Sequence, residues 1–236
     1  VAGPGKRLVS LDYSGIELRV LAVLSGDEQL LDDMVYGDVH LETGSLIAGR
    51  RLDKSVTEDK EIRQSAKAVN FGIVYGISGL GLAASMGVTM GEAEGYIEKW
   101  AERYPQAFGL RSAVGAEADR TKQIRTPDGG SIRVTKSMGM THFSNYIVQS
   151  AAFAVMAKAL ARHDASLLKL DGVDMVSTIH DAIIDEADAD KAQHALRLMK
   201  ADMLDGFTDI FPGASTDRLV EGGVGPSWGE LVDEEV

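Results

Sequence analysis

The chain has no cysteine, which excludes disulfides and thiolate metal sites and leaves the redox compartment open. It lacks any apolar run near the roughly 20 residues that span a bilayer. Its start has neither the charged nor the apolar segment of a secretory signal. Cytoplasmic placement without a membrane partner is therefore the expectation. Internal repeats and low-complexity tracts are missing too. Positive charge is short: 24 Lys and Arg stand against 36 Asp and Glu, a formal net charge of -12. A nucleic-acid binder is expected to carry a basic footprint, so composition alone favours a protein that never touches DNA. Exposed charges more than about 8 Å apart are largely screened, however, so local arrangement outweighs the sum. The 236 residues, 44% hydrophobic and 25% charged, fit an ordinary globular protein of one large domain or two small ones.

What is present is concentrated between residues 63 and 76. Arg63, Lys67, Phe71 and Tyr75 are spaced four apart, so on a helix each sits about 40° around from the last. One broad face then carries two cations followed by two aromatics, an order that suits phosphates at one end and a stacked base at the other. Upstream, Asp12 ends the apolar run Leu8-Val9-Ser10-Leu11; downstream, Asp181 follows Val176-Ser177-Thr178-Ile179-His180. Two carboxylates at strand ends with a cationic helix between them point to metal-assisted phosphoryl transfer. Taken singly, each Asp is as well read as a turn residue, each cation as a solvated helix face and each aromatic as core.

The periodicity predicts a strand at 7–12, helices at 15–24, 27–35 and from about 39, and a long helix from Thr57 to Gly76, with acids in its first turn. Thr89 with Glu92 is a capping-box pattern for a helix through about 103, which Pro105 breaks before another helix to about 120. The Thr126-Pro127-Asp128-Gly129-Gly130 cluster marks a hairpin between 123–125 and 131–134. A long helix at 141–168, strands at 174–179 and 183–186, a helix at 190–204 and a last strand near 218–224 complete the chain. The fold class is α+β, a small antiparallel sheet carrying the aspartates and interrupted by a mostly helical insertion.

Three segments carry a family resemblance. Asp12-Tyr13-Ser14-Gly15-Ile16-Glu17-Leu18-Arg19 resembles motif A of the family A DNA polymerases, the group of bacterial DNA polymerase I and its phage relatives. Arg63 through Gly76 resembles their motif B and His180-Asp181 their motif C, in the family's order. Val220-Glu221-Gly222-Gly223-Val224-Gly225 is similar to the family's closing strand. The resemblance covers nearly the whole chain but only about the C-terminal half of a polymerase module. It implies a right-hand polymerase fold, with palm at 1–38 and 139–236 and fingers at 39–138. The start at Val1, just before motif A, leaves the thumb and first palm strands to an N-terminal segment, in the same chain or a separate one.

The resemblance also implies roles. Asp12, Asp181 and the Tyr13 backbone carbonyl would hold two Mg²⁺, with Mn²⁺ as a substitute. Arg63 and Lys67 would contact the triphosphate of a dNTP, Phe71 would pack on its sugar and base, and Tyr75 would stack near the template base. Lys67 also counts among the catalytic residues. Glu17 resembles a steric gate occupying the place of a ribose 2′-hydroxyl, which disfavours an RNA polymerase. His40 matches a triphosphate-binding histidine, with a helix-cap or surface histidine as the alternative. Asn145, Gln149 and His180 would touch primer-template DNA.

There are departures. Gly15 stands for the family's glutamine, Ala182 for the acid after His-Asp, and Thr141 for a DNA-contacting arginine; the turn at 126–134 lacks an arginine cluster. Asp185 shares strand parity with Asp181 but lies about 13 Å along an extended strand, too far to stand in. The expectation is a DNA polymerase portion of replication, repair or phage type, in a bacterial or phage-infected cell and nucleoid-associated, needing its N-terminal segment for full activity. The alternative is a catalytically weak or silent DNA-binding subunit of a split polymerase.

Overall fold

The computed structural model describes residues 1–233, apart from the side chains of residues 140, 141 and 233. The expectation at Thr141 therefore concerns a side chain outside those described. The chain order is β1 (Lys6–Tyr13), α1 (Ile16–Ser25), α2 (Glu28–Val35), α3 (Val39–Ala48), α4 (Thr57–Val74), α5 (Gly79–Met86), α6 (Met90–Arg103), α7 (Pro105–Thr121), β2 (Gln123–Arg125), β3 (Ser131–Arg133), α8 (Met140–Leu167), β4 (Val173–Ile179), β5 (Ala182–Asp188), α9 (Ala192–Ile210), β6 (Val220–Gly225) and β7 (Val232–Asp233). Residues 1–16 with 152–236 form one compact unit and residues 17–151 another. No helix among the described residues is long and apolar enough to cross a membrane.

The first unit is built on a five-stranded antiparallel sheet in the order β4-β5-β1-β6-β7. β1 is central, and Leu8 through Leu11 are buried on both of its faces. α9 packs against β1, β5 and β6 through Leu196, Met199, Met203 and Phe207, a stripe with helical spacing. That stripe runs on to the buried Ile210, which carries the helix beyond the expected end at 204. α9 approaches the end of α8 so closely that a Cβ on Gly206 would lie 2.6 Å from the Ala159 backbone nitrogen. At the sheet edge, β4 leaves Val176 exposed at a bulge in its pairing with β5.

The second unit is helical, with the small β2–β3 hairpin packed through Ile124 on Val114, Ala118 and Phe143. α6 begins with the expected capping box: the Glu92 amide donates to the Thr89 hydroxyl and the Thr89 amide to the Glu92 carboxylate. Pro105 both ends α6 and opens α7, where its missing N–H costs nothing. α5 forms where the sequence pattern indicated only a glycine-rich exit from α4. Ser78 caps it, Gly87 at φ +68° closes it, and Leu82 and Ala83 bury its inner face.

Candidate active site

The expected residues divide between the units, and each group has its own geometry. In the first unit, Asp12 lies next to the end of the central strand and Asp181 in the two-residue turn joining β4 to β5. Register sets Asp12 opposite Ala182 on one side and Glu221 on the other. The Tyr13 amide donates to the Asp181 carbonyl at 3.3 Å. The Tyr13 hydroxyl is anchored in the core by donating to the Met203 carbonyl at 2.6 Å. His180 takes a left-handed conformation, φ +54°, that turns the chain so tightly. The carboxyls of Asp12 and Asp181 come within hydrogen-bonding reach of each other. Burial first, then the charge of Asp181 and a contribution from Glu221, push Asp12 up to about 7, against an opposing hydrogen bond from the Tyr13 amide.

Two carboxylates crowded in this way form an oxygen donor set in need of a cation. Among the described residues no group of three or more His, Asp or Glu meets as a complete metal cage. Ala182, 6% exposed, contributes no acid at its place beside Asp12. Asp185 is fully buried and its Oδ2 lies 2.8 Å from His163 Nε2, so it is engaged elsewhere. Glu221 was missed by the sequence reading. Its signal was an acid in a glycine-rich strand, but only β pairing shows that it faces Asp12.

In the second unit, α4 buries Ala66, Val69, Asn70 and Ile73 and turns Arg63, Lys67, Phe71 and Tyr75 the other way. The Arg63 Nε donates to Asp38 at 2.9 Å, and the Lys54 ammonium pairs with the same carboxylate at 2.6 Å. Asp38 also caps α3 by accepting from the His40 and Leu41 amides. Although burial alone would raise it, these partners hold Asp38 down at about 2. The Lys67 ammonium sits 6.0 Å from the Phe71 ring centroid, and the Phe71 and Tyr75 rings stack at 6.4 Å. His40 lies 5.9 Å from Phe71 by ring centroids. Burial, with Arg63 and Lys67 nearby, pushes His40 down to about 4 against the pull of Asp38.

At the end of α4 the Tyr75 hydroxyl donates to the Glu17 carboxylate and the Asn145 amide donates to the Tyr75 carbonyl at 3.1 Å. Gln149 and His180 are exposed. Asn70 was also missed, although a buried amide in a helix interior is signal enough to ask what it binds. A cavity of about 590 Å³ lined by Leu46, Gly49, Arg51 and Lys99 holds none of the expected residues.

The sheet, its acidic hairpin and the cationic–aromatic helix together make a polymerase-type α+β fold. The chain belongs to DNA polymerase family A, whose family model matches residues 1–230. It is 32% identical to DNA polymerase I of Pseudomonas aeruginosa, over 98% of this chain and 26% of that protein. It is 33% identical to the thermostable DNA polymerase I of Thermus filiformis, over 97% of this chain and 28% of that protein. The chain thus spans about a quarter of the length of the curated relatives it matches. Among solved structures, it resembles the POL domain of Pol1 from M. smegmatis in complex with DNA primer-template and dNTP. The TM-score is 0.82 at 22% identity, covering 97% of this chain and 41% of that one.

Proposed function

We propose that this chain is the palm and fingers portion of a template-directed DNA polymerase, with palm at 1–38 and 139–236 and fingers at 39–138. The observation that carries this reading is the Asp12–Asp181 carboxyl pair, held together by the β1–β5 register. Asp12, Asp181 and the Tyr13 carbonyl would hold two Mg²⁺, or Mn²⁺, which when bound lower the pKa of the primer 3′-hydroxyl and offset the charge on the phosphates. Arg63 and Lys67 bind and orient the triphosphate of a dNTP, the first as a planar fork and the second as a compact charge. Phe71 packs on the sugar and base, and Tyr75, held by Glu17 and Asn145, offers a ring at the template side. Glu17 fills the place of a 2′-hydroxyl and so selects deoxynucleotides. Gln149 and His180, both exposed, contact primer-template DNA together with Asn145. An N-terminal segment carrying the thumb supplies the remaining grip, and the setting is the cytoplasm of a bacterial or phage-infected cell.

The test is Mg²⁺-dependent primer extension by the chain, alone and with a thumb-bearing N-terminal segment. Asp12→Asn and Asp181→Ala should each lower the rate about a thousandfold, the equivalent of about 4 kcal/mol. Near-normal extension by Asp181→Ala would remove this assignment. The second reading, a silent DNA-binding subunit, draws on Ala182 beside Asp12. It requires primer-template binding with no incorporation under either condition.

A further inference from the structure

Asn70 is completely buried and its carboxamide is fully engaged. Its Oδ1 accepts from the Trp100 indole Nε1 at 2.7 Å and from the Thr43 hydroxyl at 2.9 Å. Its Nδ2 lies 3.4 Å from the Val39 carbonyl and 2.9 Å from His40 Nδ1. Two of these partners have fixed polarity. An indole N–H only donates and a backbone carbonyl only accepts. Both dictate the same orientation of the amide, and turning it over would set N–H against N–H at Trp100 and oxygen against oxygen at Val39. The group facing His40 is therefore a donor, so His40 Nδ1 must accept and a neutral ring must carry its proton on Nε2.

We infer that Asn70 is a positioning residue for His40. Locked by Trp100, Val39 and Thr43, it holds the neutral imidazole as the Nε2–H tautomer and aims one N–H donor at an anionic oxygen. This rests on the reading of His40 as a ligand of the nucleotide triphosphate. The charges facing the ring are Arg63 and Lys67 on α4 and Asp38 at the start of α3, and burial keeps the ring neutral above about pH 4. The donor is thus present at every working pH, with no competing tautomer that would present a lone pair to phosphate.

The test is long-range ¹H–¹⁵N correlation on the full chain labelled at its 5 histidines, with His40→Gln to assign the signal. At pH 7 His40 should show a protonated Nε2 and an unprotonated Nδ1. A protonated Nδ1, a mixture like that of free imidazole, or an imidazolium would overturn the inference. Asn70→Asp replaces the donor facing His40 Nδ1 with a carboxylate acceptor, so the His40 signal should move to a protonated Nδ1. If a folded Asn70→Asp variant keeps a protonated Nε2 and an unprotonated Nδ1, Asn70 does not set the tautomer and the inference fails; if it does not fold, the wild-type tautomer still decides. Titration with Mg²⁺–dATP and with inorganic triphosphate separates the two readings. A locked Nε2–H whose resonance ignores both ligands would leave the tautomer lock standing and remove His40 from the triphosphate site.

Discussion

The hydroxyl of Tyr75 and the carboxylate of Glu17 meet across 58 residues of sequence, and the Asn145 amide holds the same tyrosine by its carbonyl. This ties the end of α4 to the start of α1 and keeps Glu17 in one place, as a steric gate requires. A double-mutant cycle of Glu17→Ala and Tyr75→Phe in urea unfolding should give a coupling of about 1 kcal/mol. Glu17→Ala should also raise rNTP incorporation relative to dNTP, and unchanged selectivity would count against the gate. Gly15 has a local reason for replacing a glutamine, since it sits at φ +58° in the turn from β1 into α1. Gly15→Gln should lower stability by about 1–2 kcal/mol, read from the denaturant midpoint, because a Cβ is strained there.

At the scale of elements, the first unit is pinned by a buried histidine. His163 on α8 sits between Asp185 on β5 at 2.8 Å and Asp202 on α9 at 3.0 Å, with both ring nitrogens facing carboxylate oxygen. A neutral ring has one donor, so the geometry calls for an additional proton. Burial lowers His163, but the two carboxylates outweigh it and hold it above the ordinary histidine value; burial raises Asp185, with Asp202 and Asp174 adding to the rise. Both shifts act in the same direction. The stability from His163 is complete below about pH 6.5 and is lost as pH rises through its raised folded value. Melting temperature should therefore fall as pH rises above about 6.5 in the wild type and stay level in His163→Leu/Asp185→Leu. His163→Ala alone should cost about 3–5 kcal/mol, because it leaves Asp185 buried without its partner. The double apolar variant should be neutral or stabilising, with Asp202 retained by the Ser166 hydroxyl at 3.1 Å. Where α9 meets α8, Gly206→Val should cost about 1–3 kcal/mol by overpacking against Ala159.

For the whole molecule, a net charge of -12 limits how firmly the chain can hold a polyanion. Each phosphate neutralised contributes about -0.9 to the slope of log affinity against log salt for duplex DNA. With Arg63 and Lys67 given to the dNTP triphosphate and the proposed DNA contacts Asn145 and Gln149 being neutral amides, primer-template binding by the chain alone should show a slope shallower than about -2. A slope of about -6 would reveal a grip elsewhere on the chain. Adding a thumb-bearing segment should steepen the slope while leaving the Asp181 requirement intact. The compact units break at 16/17 and 151/152, whereas the proposed palm and fingers boundaries fall at 38/39 and 138/139.

Local patterns were enough for the elements: the capping box at Thr89, the opening of α7 at Pro105, the hairpin after Ile179 and the four-residue spacing along α4 all depend on neighbours within a turn or two. The three motifs were legible for the same reason, since each is a continuous stretch of chain. α5 was not, because its glycines pointed to a loop and only burial of Leu82 and Ala83 favours the helix. Nor were Glu221, Asn70 and the Asp185–His163–Asp202 group, whose partners lie 22 to 209 positions away. The chain order alone was enough to assign the chain to its family, because the three motifs are continuous stretches of sequence. Strand register and helix packing decided which residues meet, because a carboxylate, an amide or an imidazole acquires its role from groups that only tertiary structure brings within 3 Å.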